Sequence, residues 1–98
     1  MAVFFIAKYT VTNPEGFAKY GASVRPTFAG HDAEFVVVDS NPEVVEGSPA
    51  TNTVVIKFPS KEAFRGWYDS PAYQAIKHHR IDNTQGDAVL VEGFAPPA

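Results

Sequence analysis

The chain has 98 residues, 45% hydrophobic and 19% charged, which predicts one globular domain with a single core. It contains no Cys, so disulfides and thiol chemistry are excluded, and we expect a reducing, cytoplasmic environment. The net charge of -3 and the lack of a Lys/Arg run argue against nucleic acid as a partner. We assign residues 1–95 to the domain and residues 96–98 to a flexible tail.

The first part of the chain predicts a strand, a helix and a second strand. Residues 2–11 are apolar and rich in β-branched and aromatic side chains. This run is too short to cross a bilayer, so we expect a strand and no membrane partner. Asn13 before Pro14 is typical of a helix start, and Pro26 is expected to kink or end that helix. Residues 33–39 form the second predicted strand.

The middle of the chain predicts a third strand that leads into a second helix. Residues 43–47 suggest a short β-ribbon, and residues 51–58 have the β-branched composition of a strand. Ser60 follows that strand and is a suitable N-cap, so a helix is expected to begin directly after it.

The sequence of the last part of the chain predicts a break between two helices. Ser70 stands directly before Pro71, which is an N-cap followed by a proline in the first turn. One helix must therefore end near Tyr68 or Asp69, and another must begin at Pro71. The segment "NTQGD" then predicts a turn, and residues 88–94 predict a fourth strand.

This order of elements, βαββαβ, predicts a ferredoxin-like α+β sandwich, with helices on one face of a four-stranded antiparallel sheet. The first strand is apolar on both sides, with Phe4 and Ile6 opposite in direction to Val3 and Phe5. A solvated sheet face is ordinarily polar, so we expect a homodimer that packs through the open sheet faces. The alternative is a monomer whose strands carry apolar residues on a solvated side.

Several segments together resemble a bacterial family of unknown function. They are "NPEGFAKY", the "VVEG" segment, the long string from "VVIKFPS" to "KHHR", and the closing "DAVLVEGF". The most specific positions of this resemblance are Phe58, Ser60, Ala63, Trp67, Tyr68, Ser70, Pro71, Tyr73, Gln74 and Arg80. On these residues the chain is identified as a member of the family catalogued as domain of unknown function 1330, a branch of the dimeric α+β barrels.

The resemblance implies a ferredoxin-like subunit whose bare sheet face packs on a second copy. It also implies a pocket between the sheet and the helices of each subunit. The family has no settled activity. The segment after Gly30 lacks the Gly-Arg and Arg-Gly-Gly elements associated with the family at this strand. If an Arg there binds ligand in relatives, this protein must do without it or use Arg80.

Three aromatic residues around the helix break are candidates for the wall of this pocket. Trp67 and Tyr68 can stack on a ligand, although the sequence favours a core position for the aromatic residues of both helices. Tyr73 lies on the inward face of the last helix, and its hydroxyl can reach a ligand or a backbone partner. We predict all three as ligand-binding residues and leave the core alternative open.

Arg80 is the strongest candidate for binding an anion. It lies beside the apolar face of the last helix, where a guanidinium needs a carboxylate or a phosphate. That partner can be Glu46, Glu92 or Asp39 in a structural ion pair, or the acidic group of a small anionic or aromatic metabolite. We include Arg80 and Glu46 among the predicted ligand-binding residues. His79 is the candidate general base, although its position near the helix C-terminus favours a hydrogen-bonding role there.

The sequence predicts neither a metal site nor a bound cofactor. His78 and His79 point about 100° apart on a helix, and His31 is distant in sequence. Neither G-x-G-x-x-G nor a P-loop is present. Two function classes remain open: a cofactor-independent enzyme acting on a small carboxylated or aromatic metabolite, and a non-catalytic ligand-binding or accessory subunit.

Overall fold

The computed structural model describes residues 1–94, and the predicted flexible tail at residues 96–98 lies outside the described residues. A 3₁₀ turn at Arg25–Phe28 follows the first helix. The strands and helices are β1 (Val3–Val11), α1 (Pro14–Ser23), β2 (Glu34–Asp39), β3 (Asn52–Phe58), α2 (Lys61–Tyr68), α3 (Pro71–Ile81) and β4 (Thr84–Glu92). The predicted order βαββαβ is confirmed, with its second helical region divided into α2 and α3.

The four strands form one antiparallel sheet in the order β2-β3-β1-β4. Alternate residues of β1 are buried, from Val3 to Tyr9, and rings of α2 pack on them. The core therefore lies between one face of the sheet and the helices. This is the ferredoxin-like α+β fold that the sequence predicted.

Each helix begins with the predicted side-chain cap, because an oxygen of Asn13, Ser60 or Ser70 accepts the backbone N–H three residues further on. α1 ends at Ser23, before Pro26, which instead occupies the 3₁₀ turn. The proline predicted to kink or end the helix thus follows its end.

The predicted ribbon at residues 43–47 is wrong. Val44 and Val45 lie in an irregular connection and are 54% and 83% exposed. β2 and β3 pair directly with each other, so this segment is their connection and has no neighbouring strand to pair with. Two adjacent valines are too weak a pattern to indicate a strand without such a partner.

The fourth strand begins at Thr84, four residues before its predicted start at residue 88, and the turn predicted in "NTQGD" is largely strand. Gly86 lies opposite Tyr9 in the β1–β4 ladder. A Cβ at this position would collide with the backbone of Lys8. The glycine therefore allows close approach between two strands, where the sequence had suggested a turn.

β2 contains an irregularity that changes which of its side chains face the helices. Its register shifts between Phe35 and Val37, so that Val36 is an extra residue, as in a β-bulge. Phe35 lies opposite the buried Ile56, and Val38 lies opposite Val54. Strict alternation would place Phe35 and Val38 on opposite faces, whereas the shift brings both to the helix side.

We call the sheet face away from the helices the open face, and its side chains form three rows across the four strands. The middle row is apolar throughout and consists of Val37, Val55, Ile6 and Val89. The flanking rows mix apolar, polar and charged side chains: Glu34, Lys57, Phe4 and Val91 in one, and Asp39, Thr53, Lys8 and Asp87 in the other. An apolar band with charged borders therefore crosses the open face.

Ser70→Ala is expected to lower the free energy of unfolding by about 1 kcal/mol. The Ser70 hydroxyl accepts the N–H of Tyr73 at 3.2 Å and donates to the carbonyl of Trp67 at 2.7 Å, so it connects the end of α2 to the start of α3. Urea unfolding followed by circular dichroism measures the change. Ser48→Ala is the matched control, since Ser48 is exposed in the β2–β3 connection. A loss no larger than that of the control would show that the hydroxyl does not stabilise α3.

Candidate ligand-binding site

The aromatic side chains between the sheet and α2 form the centre of the core. Trp67 is fully buried, stacks on Phe28 with ring centroids 4.5 Å apart, and also stacks on Phe58. Its indole Nε1 donates to the Thr27 hydroxyl at 2.9 Å, which satisfies the one polar atom of the ring. Trp67 thus fills the core, which is the alternative that the sequence left open.

Tyr73 brings a hydroxyl into this aromatic layer. Its side chain is fully buried, and its ring centroid lies 4.1 Å from that of Trp67. The Tyr73 hydroxyl is 2.9 Å from the hydroxyl of Tyr20 on α1, so the two phenols share one hydrogen bond between the helices. Tyr68 is half-buried and packs against Phe5 and Phe64.

The guanidinium of Arg80 lies beside these phenols. Arg80 is only 8% exposed, and its Nε has no hydrogen-bond partner among residues 1–94. Burial acts to lower the pKa of Arg80, but Tyr73, then Tyr20 and Tyr68, raise it above the ordinary value. Arg80 therefore remains a buried cation.

The carboxylates that the sequence offered as partners of Arg80 are engaged or located elsewhere. Glu92 pairs with Lys61 at 3.3 Å, and Asp39 accepts the backbone N–H of Asn41. Glu46 is exposed in the β2–β3 connection. The other ion pair within residues 1–94 joins Arg65 to Asp69, so no carboxylate of the described chain neutralises Arg80.

A cavity of about 180 Å³ lies between the sheet and the helices, next to Arg80. Its floor is apolar and comes from β1, β3 and β2, and its roof comes from α1, the 3₁₀ turn and α3. The residues that line it include Tyr9, Tyr20, Phe35, Val38, Ile56 and Arg80. Val38 is 70% exposed, which places the mouth of the cavity at the β2 edge.

Burial keeps the phenols of the cavity wall protonated. It raises the pKa of Tyr9, although the nearby Arg80 cation acts in the opposite direction. Burial, together with the neighbouring Tyr73, also raises the pKa of Tyr20 well above its ordinary value. Both hydroxyls are therefore hydrogen-bond donors throughout the neutral range.

Of the residues predicted for the site, Arg80 alone lines this cavity. Trp67 and Tyr73 lie in the core behind it, and Tyr68 lines a separate groove that runs toward β4. His79 does not line the cavity, and its ring lies 4.0 Å from that of His78. Desolvation, then His78 and Lys19, lower the pKa of His79. The structure brings Arg80 and Tyr73 together and separates Glu46 and His79 from the cavity.

Four residues that line the cavity were not predicted from the sequence, namely Tyr20, Arg25, Phe35 and Val38. Tyr20 carried a usable signal, because it is a residue with a polar tip on the apolar stripe of α1. Phe35 and Val38 carried none, since their common orientation depends on the bulge in β2.

No group of three His, Cys, Asp or Glu side chains within residues 1–94 is arranged to hold a metal ion. In the same part of the chain, no helix has the length and apolar character needed to cross a bilayer.

The βαββαβ fold with a cavity between sheet and helices defines a ferredoxin-like α+β protein. Within that class, the chain belongs to the family described as Domain of unknown function (DUF1330), whose model matches residues 2–94. This confirms the resemblance seen in the sequence. No protein of curated function shows significant sequence similarity to the chain.

Solved structures with the same fold include proteins both with and without a described activity. A protein of unknown function from Rhodopseudomonas palustris is 15% identical, with a TM-score of 0.78 over 97% of this chain and 84% of that one. SnoaB, a cofactor-independent oxygenase from Streptomyces nogalater, is 19% identical, with a TM-score of 0.64 over 97% and 95%. A dimeric ferredoxin-like protein from Bacteroides fragilis is 9% identical, with a TM-score of 0.63 over 94% and 96%. At these identities the similarity establishes the fold alone.

Proposed function

We propose that this protein binds a small aromatic acid in the cavity between the sheet and the helices, with the anionic end of the ligand at Arg80. The observation that carries this proposal is a buried guanidinium that no carboxylate within residues 1–94 neutralises. A buried charge is costly without a partner, and a ligand anion would supply one.

The size and lining of the cavity support a ligand with one aromatic ring. A cavity of about 150 Å³ lined by apolar side chains is large enough for benzene. The cavity here measures about 180 Å³, which leaves room for a ring and a small acidic substituent. Phe35 and Ile56 offer an apolar surface for the ring, and Arg80 and Tyr20 offer polar donors for the substituent.

Arg80→Met is expected to abolish the stabilisation that benzoate gives to the native protein, because Met fills the same space without the charge. Thermal unfolding with and without benzoate measures this, since a ligand at 100 times its Kd stabilises the native state by about 2.7 kcal/mol. Isothermal titration calorimetry gives the affinity directly.

The matched control for this experiment is Arg65→Met. Arg65 is exposed, pairs with Asp69 and does not line the cavity, so its removal should leave benzoate binding unchanged. The proposal is contradicted if benzoate and other one-ring acids leave the native protein unaffected. It is also contradicted if both variants bind benzoate as the wild type does.

A second candidate function is cofactor-independent oxygenation. The donor set of Arg80 and Tyr20 is of the kind that stabilises an oxyanion, such as an enolate or phenolate, that reacts with oxygen. SnoaB shows that a protein of this fold can be an oxygenase without a cofactor, which is an argument by analogy of fold.

If the cavity supports this reaction, the protein should accelerate oxygen uptake by a hydroquinone above the rate in buffer, and Arg80→Met should remove the acceleration. An oxygen electrode measures both. Uptake equal to that in buffer, in a protein that binds benzoate, would leave the non-catalytic ligand-binding function.

We also propose that two copies pack through their open faces to form a homodimer. The apolar middle row would be covered, and the charged borders would remain at the rim. Val89 is 51% exposed and Val91 is 39% exposed, so each subunit leaves apolar surface to be buried. A stable interface of this kind buries about 800 Å² per subunit.

Val89→Lys is expected to convert the dimer to a monomer, because each subunit would bury an unpaired lysine in the apolar middle row. Size-exclusion chromatography with light scattering measures the mass. Val45→Lys is the control, since Val45 is 83% exposed in the β2–β3 connection and should leave the mass unchanged. A wild-type mass equal to that of one chain at micromolar concentration would contradict the dimer.

A further inference from the structure

Arg80 and Tyr20 line the cavity, and the Tyr73 hydroxyl lies directly behind them, 2.9 Å from that of Tyr20. Either phenol can donate in this pair, but a guanidinium has donors and no acceptor, so the Arg80 charge favours the arrangement in which the Tyr73 oxygen turns its lone pairs toward Arg80. The Tyr73 proton is then available for the one phenol oxygen 2.9 Å away, that of Tyr20. With its oxygen occupied by Tyr73, the Tyr20 hydroxyl has its own proton left to donate.

The position of Tyr20 decides where that proton goes. Tyr20 lines the cavity, whereas Tyr73 is fully buried behind it. Tyr20 and Arg80 line the same cavity, and the Arg80 charge acts on the Tyr20 hydroxyl. A ligand atom at this end of the cavity therefore meets two donors, one from α1 and one from α3.

We propose that Tyr20 is a ligand-binding residue that donates a hydrogen bond to the same acidic group as Arg80, and that this group is a carboxylate. A carboxylate has two oxygens, so each donor can bind an oxygen of its own, whereas a phenolate or an enolate has to accept both hydrogen bonds at one shared oxygen. Tyr73 is a positioning residue, which holds the Tyr20 hydroxyl in place and passes on the polarisation by Arg80. This inference rests on the proposed function, since it names the acid that the same cavity takes.

The alternative is that the two phenols only connect α1 to α3. They then contribute to stability and have no preference among ligands. The two accounts differ in binding selectivity, because a loosened cavity would weaken charged and neutral ring compounds alike.

Tyr20→Phe keeps the ring and removes the donor. Calorimetric titration with benzoate is expected to show a loss of affinity of about tenfold or more, the usual value of a hydrogen bond to a charged group. Binding of benzamide, which is neutral and of the same shape, should change much less. Equal loss for both probes, or unchanged affinity for benzoate, would overturn the role of Tyr20.

Tyr73→Phe and the double variant test the positioning role. If Tyr73 acts by orienting Tyr20, the double variant loses no more benzoate affinity than Tyr20→Phe alone. Additive losses would show that Tyr73 acts independently, and would overturn that role.

The wild type offers a further test that needs no variant. It should bind benzoate at least tenfold more tightly than pentafluorophenolate, an anion with a similar ring and one oxygen. Equal affinities would overturn the carboxylate assignment while leaving the proposed function intact. If the wild type binds neither anion, the proposed function and this inference are overturned together. The same holds if Arg80→Met binds both anions as tightly as the wild type does.

Discussion

The burial of a guanidinium in an aromatic layer is the constraint on which the arrangement of this site depends. Arg80 is 8% exposed and lies beside fully buried aromatic residues, and a cation there requires polar neighbours. The neighbours are the hydroxyls of Tyr73 and Tyr20, and each reaches the guanidinium region from a different helix. The contact between α1 and α3 thus supplies the hydroxyls that stabilise the buried charge, and the cavity lies directly beside this contact.

The helix break determines which residues of α3 lie on the same face as Arg80. Ser70 fixes the first turn of α3, so Tyr73 in that turn and Arg80 seven residues later lie on the same face of the helix. His79, one position before Arg80, points about 100° away and does not line the cavity. In a continuous helix through residues 61–81, Ser70 and Pro71 would lie in the helix interior. The direction of the helix would then not change between Tyr68 and Pro71.

Most of the fold could be predicted from the sequence because its signals are local. Asn13, Ser60 and Ser70 cap the helices where predicted, since a side-chain oxygen before a helical pattern needs no distant partner to be recognised. The start of β4 and the shift in β2 could not be predicted in this way. Gly86 reads as a turn residue until its pairing with β1 is known, and a run of three valines does not specify which valine is the extra one.

The same difference applies to the site. Arg80 could be found from the sequence because a charge on an apolar helix face is conspicuous. Its partner could not be found, because the choice among Glu46, Glu92, Asp39 and a ligand depends on three-dimensional distances. The elevated pKa values of Tyr9, Tyr20 and Arg80 have a further consequence for function. All three groups keep their protons through the neutral range, so the cavity presents the same donors and the same charge across it. Binding of a weak acid should therefore follow the ionisation of the ligand, because the charge of the cavity does not change over that range.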